Sequence, residues 1–393
     1  MIVKNEAENL ARCLSSVQTA VDELVVLDTG STDDTVAIAE SFRAAVHHFT
    51  WTNDFSAARN YALQFVTGDW VLVLDADEVL VPEVIPTLKQ AIQQENAIVI
   101  NLIRQEIGAT QSPYSLVSRL FRRHPQVHFS RPYHAMIDDS VAKLRQTEPQ
   151  WQVVNCSQVA ILHYGYEPGT IASRNKLEKA RSTMEGFLAT HPHDPYVCSK
   201  LGALYVQMQD WQQGISLLER GLSQSVDAPD APVLYELHYH LGIAYSQLHN
   251  PQQAEFHYRS AIAQPMLDCL KLGALNNLAN LLQARGDWAN AAELYRICLT
   301  VDPHFAIAHY NLGMTLKAMG HLEAAVAHYQ TAIQLAPNYA EAYQNLGVVL
   351  LKLGRVTESL AAFRQAIQHH EQQNNSKEAK RLQQGLADLG LQI

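Results

Sequence analysis

With 393 residues the chain is long for one domain, and at roughly 150 residues per domain it should hold two or three. Hydrophobic residues at 47% against 17% charged ones exclude a disordered chain. A net charge of −10, from 29 Lys+Arg against 39 Asp+Glu, excludes a general nucleic-acid binder, which needs a basic footprint for phosphate; Arg119, Arg122 and Arg123 remain a local candidate anion site.

Residues 1–165 alternate short apolar runs with helical patterns. The opening MIVKNE gives a first strand, and AENLARCLSSV a helix after it. ELVVLDTGS (23–31) is a strand of the buried type, closed by a Gly-Ser turn, and STDDTVAIAESF then starts a helix with a hydroxyl cap and acids in the first turn. SAARNYALQFV and EVIPTLKQAIQQ are helical, while WVLVLDADEVL (70–80) and NAIVINLI are strands. Continuous Val, Leu and Ile strands alternating with helices predict an α/β fold with a mostly parallel sheet covered on both faces.

Residues 166–194 read as a helical linker, and from 195 onward the chain repeats. Leu278, Leu312 and Leu346 recur with Gly286, Gly320 and Gly354 and with Pro303 and Pro337 at one fixed spacing, and Tyr295, Tyr329 and Phe363 share a further position. Looser copies begin near Leu201 and Leu241, with an insertion around SVDAPDAPV. This pattern resembles the tetratricopeptide repeat and predicts about five helical pairs over 195–371, with 372–393 as a capping helix. The expected fold class is therefore α/β followed by an all-α solenoid.

The five cysteines are odd in number and widely spaced, with no CxxC pair, and read as reduced packing residues. No run approaches the roughly 20 apolar residues of a membrane span, and no signal peptide opens the chain, so a cytoplasmic setting is expected, with peripheral membrane association as its alternative.

Ligands of parallel sheets bind at the carboxyl ends of the strands. There the sequence places Lys4-Asn5-Glu6, Asp28-Thr29-Gly30-Ser31 and Asp75-Ala76-Asp77-Glu78. If these strands are neighbours, at least four carboxylates converge, and a divalent cation would relieve their repulsion; oxygen ligands favour Mg2+ or Mn2+. The plainer reading of DADE is a solvated loop that caps a helix.

The ordered series MIVKNEAENLARCLSSV, VVLDTGSTDDT, WTNDFSAARNYAL and GDWVLVLDADE resembles the family 2 glycosyltransferases, of GT-A, Rossmann-like fold. The resemblance implies a metal-dependent, inverting, hexosyltransferase-type enzyme that uses a nucleotide-sugar donor, a UDP-sugar being the first expectation. It implies that Asn5, Glu6 and Asp28 lie around the nucleobase and ribose, that Arg59 and Asn60 lie near the diphosphate, and that Asp77 binds the metal. Asp75 would touch ribose or metal, and Glu78 would be a supporting acid. His163, in ILHYGY, would complete the metal shell or touch the diphosphate, the alternative being a core histidine. Where relatives carry His-Glu after an RLFRR segment, this chain has His134-Ala135, so the catalytic base is expected at Asp138 or Asp139. Relatives also carry apolar residues before MIVKNE, so the first strand is expected to be short or weakly paired, or the start to lie upstream.

Asn277, Asn311 and Asn345 share a repeat position and are expected to form a ladder on the concave face that holds an extended peptide or protein partner. Two alternatives accompany the enzyme: a scaffold that keeps the fold without turnover, and a transferase acting on a lipid-linked or envelope glycan.

Overall fold

The computed structural model describes residues 1–109, 111–165, 174–224 and 230–391. The first part of the expected linker, Tyr166 and most of the SVDAPDAPV insertion lie outside the described residues. The structure divides into two compact units, 1–228 and 229–393.

The first unit contains two sheets. In one, β1 (Ile2–Val3), β2 (Val25–Asp28) and β3 (Ala45–His48) pair in parallel in that order. Helices α1 (Leu10–Val17) and α2 (Thr35–Ser41) cover one face through Leu10, Leu14 and Ala39 packed on Val3 and Val26, and α3 (Phe55–Leu63) covers the other through Ala58 and Ala62 against Leu27. Asp54 starts α3 by accepting the amide of Ala57, as an N-cap acid should.

The second sheet has the order β4-β7-β6-β8-β5, from β4 (Trp70–Leu72), β5 (Glu78–Leu80), β6 (Ala97–Glu106), β7 (Tyr114–Arg122) and β8 (Gln152–His163). Parallel pairing continues between β6 and β8, while β4/β7, β6/β7 and β5/β8 are antiparallel. α4 (Ile85–Ala91) and α5 (Asp138–Thr147) pack on this sheet, α4 through Leu88 and α5 through Val141 and Leu144.

The run WVLVLDADEVL is two strands rather than one. β4 and β5 occupy opposite edges of the sheet, so Asp75, Ala76 and Asp77 cross the sheet end between them. The crossing passes the carboxyl ends of β6 and β8, where Glu106 and His163 stand. Topology thus brings acids from one local sequence motif to side chains far along the chain.

The first unit ends in α6 (Arg174–Thr190), α7 (Pro195–Gln207) and α8 (Trp211–Gln224). Tyr133 packs into the core that α6 and α7 form around Met184, Leu188 and Leu201. Arg131 pairs with Asp139 and, at 2.9 Å, with Asp194, which also caps α7. The first helical pair therefore belongs physically with the α/β part.

The second unit stacks α9 (Ala231–Gln247), α10 (Pro251–Ile262), α11 (Leu272–Ala284), α12 (Trp288–Val301), α13 (Ala306–Ala318), α14 (Leu322–Leu335), α15 (Ala340–Lys352), α16 (Val356–Gln372) and the capping α17 (Ser376–Asp388). With α7/α8, the described helices form five pairs. The repeated ring lies on a repeated small residue: a Cβ added at Gly313 would stand 2.8 Å from the Tyr329 ring.

The asparagine ladder takes a different form from the one expected. Asn311 is buried and donates to Asn276 (3.0 Å) and Asn280 (3.1 Å) of the preceding pair. Asn345 donates to the Tyr310 hydroxyl at 3.1 Å and accepts from Lys317. These amides tie one repeat to the next, because an unpaired amide in a tight helix interface would carry a desolvation penalty.

Candidate functional site

The acids of DADE have three separate environments. Asp75 accepts from Arg59 at 3.0 Å through one oxygen and from Arg119 at 2.7 Å through the other. Burial would raise its pKa, but these two guanidiniums outweigh that and hold the carboxyl far below the usual range. Glu78 is fully buried; it accepts the Asp75 amide at 2.9 Å and the Arg104 guanidinium at 2.8 Å. Asp77 instead faces His163, with Oδ2 3.3 Å from Nε2.

A relay fixes that histidine. Arg104 also binds Glu106, and Glu106 in turn holds His163 Nδ1. Burial alone would lower the His163 pKa, but hydrogen bonds to Asp77 and Glu106 raise it to about 9. The Tyr164 amide donates to the Asp77 carbonyl at 3.0 Å and anchors the loop to the end of β8.

Gly165 packs directly against the pair. A Cβ there would lie 2.5 Å from His163 Nε2 and 3.3 Å from Asp77 Oδ2. Any larger residue would collide with the His163 ring.

Several expectations are revised by this geometry. No group of three or more His, Cys, Asp and Glu gathers for a metal among the described residues. The expected repulsion among acids is relieved by Arg59, Arg104, Arg119 and His163 instead. Asp75 has both oxygens taken, which does not fit a metal or ribose ligand. Arg59 is buried on α3, bonded to Asp75 and, at 3.2 Å, to the Ala135 carbonyl; burial and the nearby charge of Arg119 lower it to about 10. It holds the site together rather than facing open solvent. Asn60 clasps the Phe129 backbone through both its amide atoms.

Arg119, Arg122 and Arg123 do not form one anion site. Arg122 bonds to the Ala97 and Gln94 carbonyls and Arg123 to that of Gly68, while Arg119 turns to Asp75.

At the end of β2, Asp28 accepts the amides of Gly30 (3.1 Å) and Ser31 (3.0 Å); these bonds outweigh burial and lower its pKa. Gly30 needs its φ of +101° to shape that turn. Asn5 also has a positive φ, 56°, and its Oδ1 accepts the Thr32 amide at 2.7 Å. The Glu6 amide donates to Thr35 Oγ1 at 2.7 Å. KNE and DTGS thus form one mutually bonded rim.

Asp138 and Asp139 differ as well. The register of β6 and β7 shifts so that Ser118 and Arg119 stand opposite the single residue Asn101, a bulge. Arg119 goes to Asp75, and Ser118 donates to Asp138 at 2.8 Å. Burial raises the Asp138 pKa, with Ser118 opposing. Asp139 is consumed by Ser130 and Arg131. The segment above the site is strained: Arg131 and His134 have φ of 71° and 52°.

Glu106, Arg104 and Gly165 were not evident as site residues from the sequence, and Arg119 was expected only within an anion cluster. The legible signal was a charged pair, Arg104 and Glu106, closing the otherwise apolar NAIVINLI run.

A cavity of about 650 Å³ lies between the two sheets, lined by Val25, Trp70, Leu72, Leu88 and Arg59. None of Asp75, Asp77 and Glu78 lines it, so it is separate from the acidic crossing.

An α/β unit with polar loops gathered at its strand ends, continued by stacked helical pairs, defines a transferase domain joined to a repeat solenoid. The chain belongs to the family 2 glycosyltransferases carrying tetratricopeptide repeats. It matches the glycosyl transferase family 2 model over residues 1–153 and tetratricopeptide models over 196–264, 274–305, 315–354 and 340–373. It is 44% identical to a TPR repeat-containing protein of Synechococcus elongatus over 303 residues, 77% of this chain and 75% of that one. It is 28% identical to the SPbeta prophage-derived glycosyltransferase SunS of Bacillus subtilis over 202 residues, 50% of this chain and 46% of that one. An uncharacterized glycosyltransferase of Rickettsia felis shares 45% identity over 83 residues, 21% of this chain and 29% of that one. The chain thus spans half or less of these two glycosyltransferases. Among solved structures, MamA matches with a TM-score of 0.38 and 19% identity, covering 44% of this chain and 97% of that one. No helix among the described residues is long and apolar enough to cross a membrane.

Proposed function

We propose that the chain is a metal-dependent, inverting glycosyltransferase of the hexosyltransferase type. It moves a sugar from a nucleotide-sugar donor, with a UDP-sugar the first to test, to an acceptor hydroxyl, and its repeats engage a protein partner. The observation that supports this reading is the pairing of Asp77 Oδ2 with His163 Nε2, 3.3 Å apart where the crossing between β4 and β5 meets the end of β8.

A divalent cation such as Mn2+ or Mg2+ would take the place of the proton that His163 Nε2 shares with Asp77. Asp77 would then supply a carboxylate oxygen and His163 an imidazole nitrogen, oriented from behind by Glu106 as metal-ligating histidines are. A bound ion supplies charge compensation for the departing nucleoside diphosphate. Asn5, Glu6 and Asp28 form the rim assigned to the nucleobase and ribose. Arg59 and Arg119 keep Asp75 ionised and the loop rigid, so that the donor meets a prearranged surface.

Asp138 is the base in this proposal. Its carboxylate takes the proton of the acceptor hydroxyl, and burial gives it a higher proton affinity than an ordinary aspartate. Asp139, already paired with Arg131, holds the loop and the first helical pair instead. The five unpaired cysteines support a cytoplasmic setting.

The test is Mn2+-dependent turnover of a panel of nucleotide sugars. Asp77→Ala should lower it by about 100-fold or more, in line with removal of a group that stabilises developing charge. Turnover and donor binding unchanged by Asp77→Ala would sink the metal assignment. A second reading, a scaffold without turnover, is favoured by Ala135, which offers Arg59 only a backbone carbonyl where the family resemblance leads one to expect a glutamate. Saturable donor binding with no transfer or hydrolysis in the same panel would select it.

A further inference from the structure

Two positions in the solenoid change together. In the α9/α10 pair they are His238 and His257, and in α13/α14 they are His309 and His328, 19 residues apart in each case. The equivalent positions of α11/α12 hold Leu275 and Leu294, and those of α15/α16 hold Tyr343 and Ala362. Histidine thus meets histidine in two of the helical pairs and leucine meets leucine in a third, while α7/α8 has Cys198 and Leu217.

The two rings of each pair meet nitrogen to nitrogen. Nδ1 of His309 is 3.0 Å from Nδ1 of His328, and the other pair stands at 2.9 Å. Such a contact either shares one proton or brackets a cation. One contact fixes the tautomer of His309: its Nε2 lies 3.1 Å from the Pro303 carbonyl, which can only accept, so Nε2 bears the proton of the neutral ring. Nδ1 then presents a lone pair to His328. A hydrogen bond from the far nitrogen to a backbone carbonyl is how proteins orient metal-ligating histidines.

Distance and accessibility agree. Two imidazole nitrogens each about 2.0–2.1 Å from one tetrahedral ion stand about 3.3 Å apart, a few tenths of an ångström beyond the separation seen. His309 and His328 are both half-buried, so solvent reaches the pair and water completes the coordination. Burial keeps both rings neutral, the ligating form. Asp302 and His304 act on the charge of His309, and Arg296 on that of His328. His257 is only 6% exposed, so the other pair is more enclosed.

We propose that His309 and His328 form a two-nitrogen site for a borderline divalent cation of the zinc, nickel and copper class, bridging α13 and α14. Binding moves the His328 proton from Nδ1 to Nε2 and releases none. The ion cross-links the two helices of one repeat and leaves further coordination positions for water or a partner's side chain.

The experiment uses the full chain, untagged and stripped of metal, titrated with CuCl2 and followed by electron paramagnetic resonance, with ZnCl2 calorimetry in parallel. The expected result is nitrogen hyperfine splitting from two imidazoles and one zinc equivalent that is lost in the His309→Leu/His328→Leu variant. That variant installs the pair the third repeat already uses, and circular dichroism checks its fold. If it does not fold, His328→Gln decides by the same readouts. Asp77→Ala should leave signal and equivalent in place, which separates this site from the transferase crevice. Wild-type protein with no such splitting, or a folded variant with the wild-type signal and stoichiometry, overturns the proposal.

Discussion

At the residue scale, the crevice is organised by which acids are neutralised from within. Asp75 and Glu78 have arginine partners and Asp77 does not, although the three stand within four positions. The sequence makes all three conspicuous without saying which partner each takes, because the arginines come from α3, β6 and β7 and only the folded chain places them. Gly165 was invisible for the same reason: a glycine after an apolar strand carries no mark of which side chain packs against it. Gly165→Ala tests this contact directly. Its φ does not require glycine, so the backbone tolerates alanine, but the new methyl meets His163, which Glu106 prevents from retreating. Mn2+ affinity should fall about 10- to 100-fold, the usual cost of disturbing the support of a metal ligand, and the overpacking should lower the melting temperature as well. Calorimetric Mn2+ titration checks this; unchanged affinity would remove His163 from the mechanism.

At the element scale, the patterns that repeat or are long were legible and those that depend on pairing were not. The helices at AENLARCLSSV, SAARNYALQFV and in every repeat follow from apolar periodicity and caps such as Asp54 and Asp194. β3 and β7 escaped notice because AVHH and YSLVSRLFR mix polar and apolar residues, and the partition of WVLVLDADEVL into two edge strands is set by partners far along the chain. The repeat glycines show how sequence period becomes packing. Tyr329 lies on Gly313, so Gly313→Ala puts a methyl 2.8 Å from the ring. Propensity alone would favour alanine in a helix by about 1 kcal/mol. Overpacking costs about 1–3 kcal/mol and works against it. Because Tyr329 is fully buried and has no room to swing, overpacking should prevail, giving net destabilisation of about 1–2 kcal/mol by urea unfolding. A variant more stable than wild type would mean that the helices separate freely.

At the scale of the whole molecule, the boundary between units falls after the first repeat pair, since Arg131 and Tyr133 bind α6 and α7 into the transferase unit. Sequence period could not show this, because α7/α8 has the grammar of the solenoid and the contacts of the domain before it. The units also carry their titrating groups differently. Burial lowers the pKa of His238, His257, His309 and His328, all in the second unit, with His257 down to about 4. In the unfolded chain these histidines titrate near 6.5. Below that pH the unfolded state binds protons that the folded state refuses, so stability is complete above about 6.5 and falls as the pH drops toward 4. The first unit relies instead on Asp75, whose depressed pKa keeps its arginine pairs intact until well below the ordinary carboxylate range. The two units should therefore lose stability in successive pH windows, the solenoid first. Two thermal transitions should move apart between pH 7 and 4.5, with the lower one falling, and His238→Leu/His257→Leu should reduce that fall. A single transition that moves as one with pH would show that the units unfold together and that these histidines do not govern the acid limit.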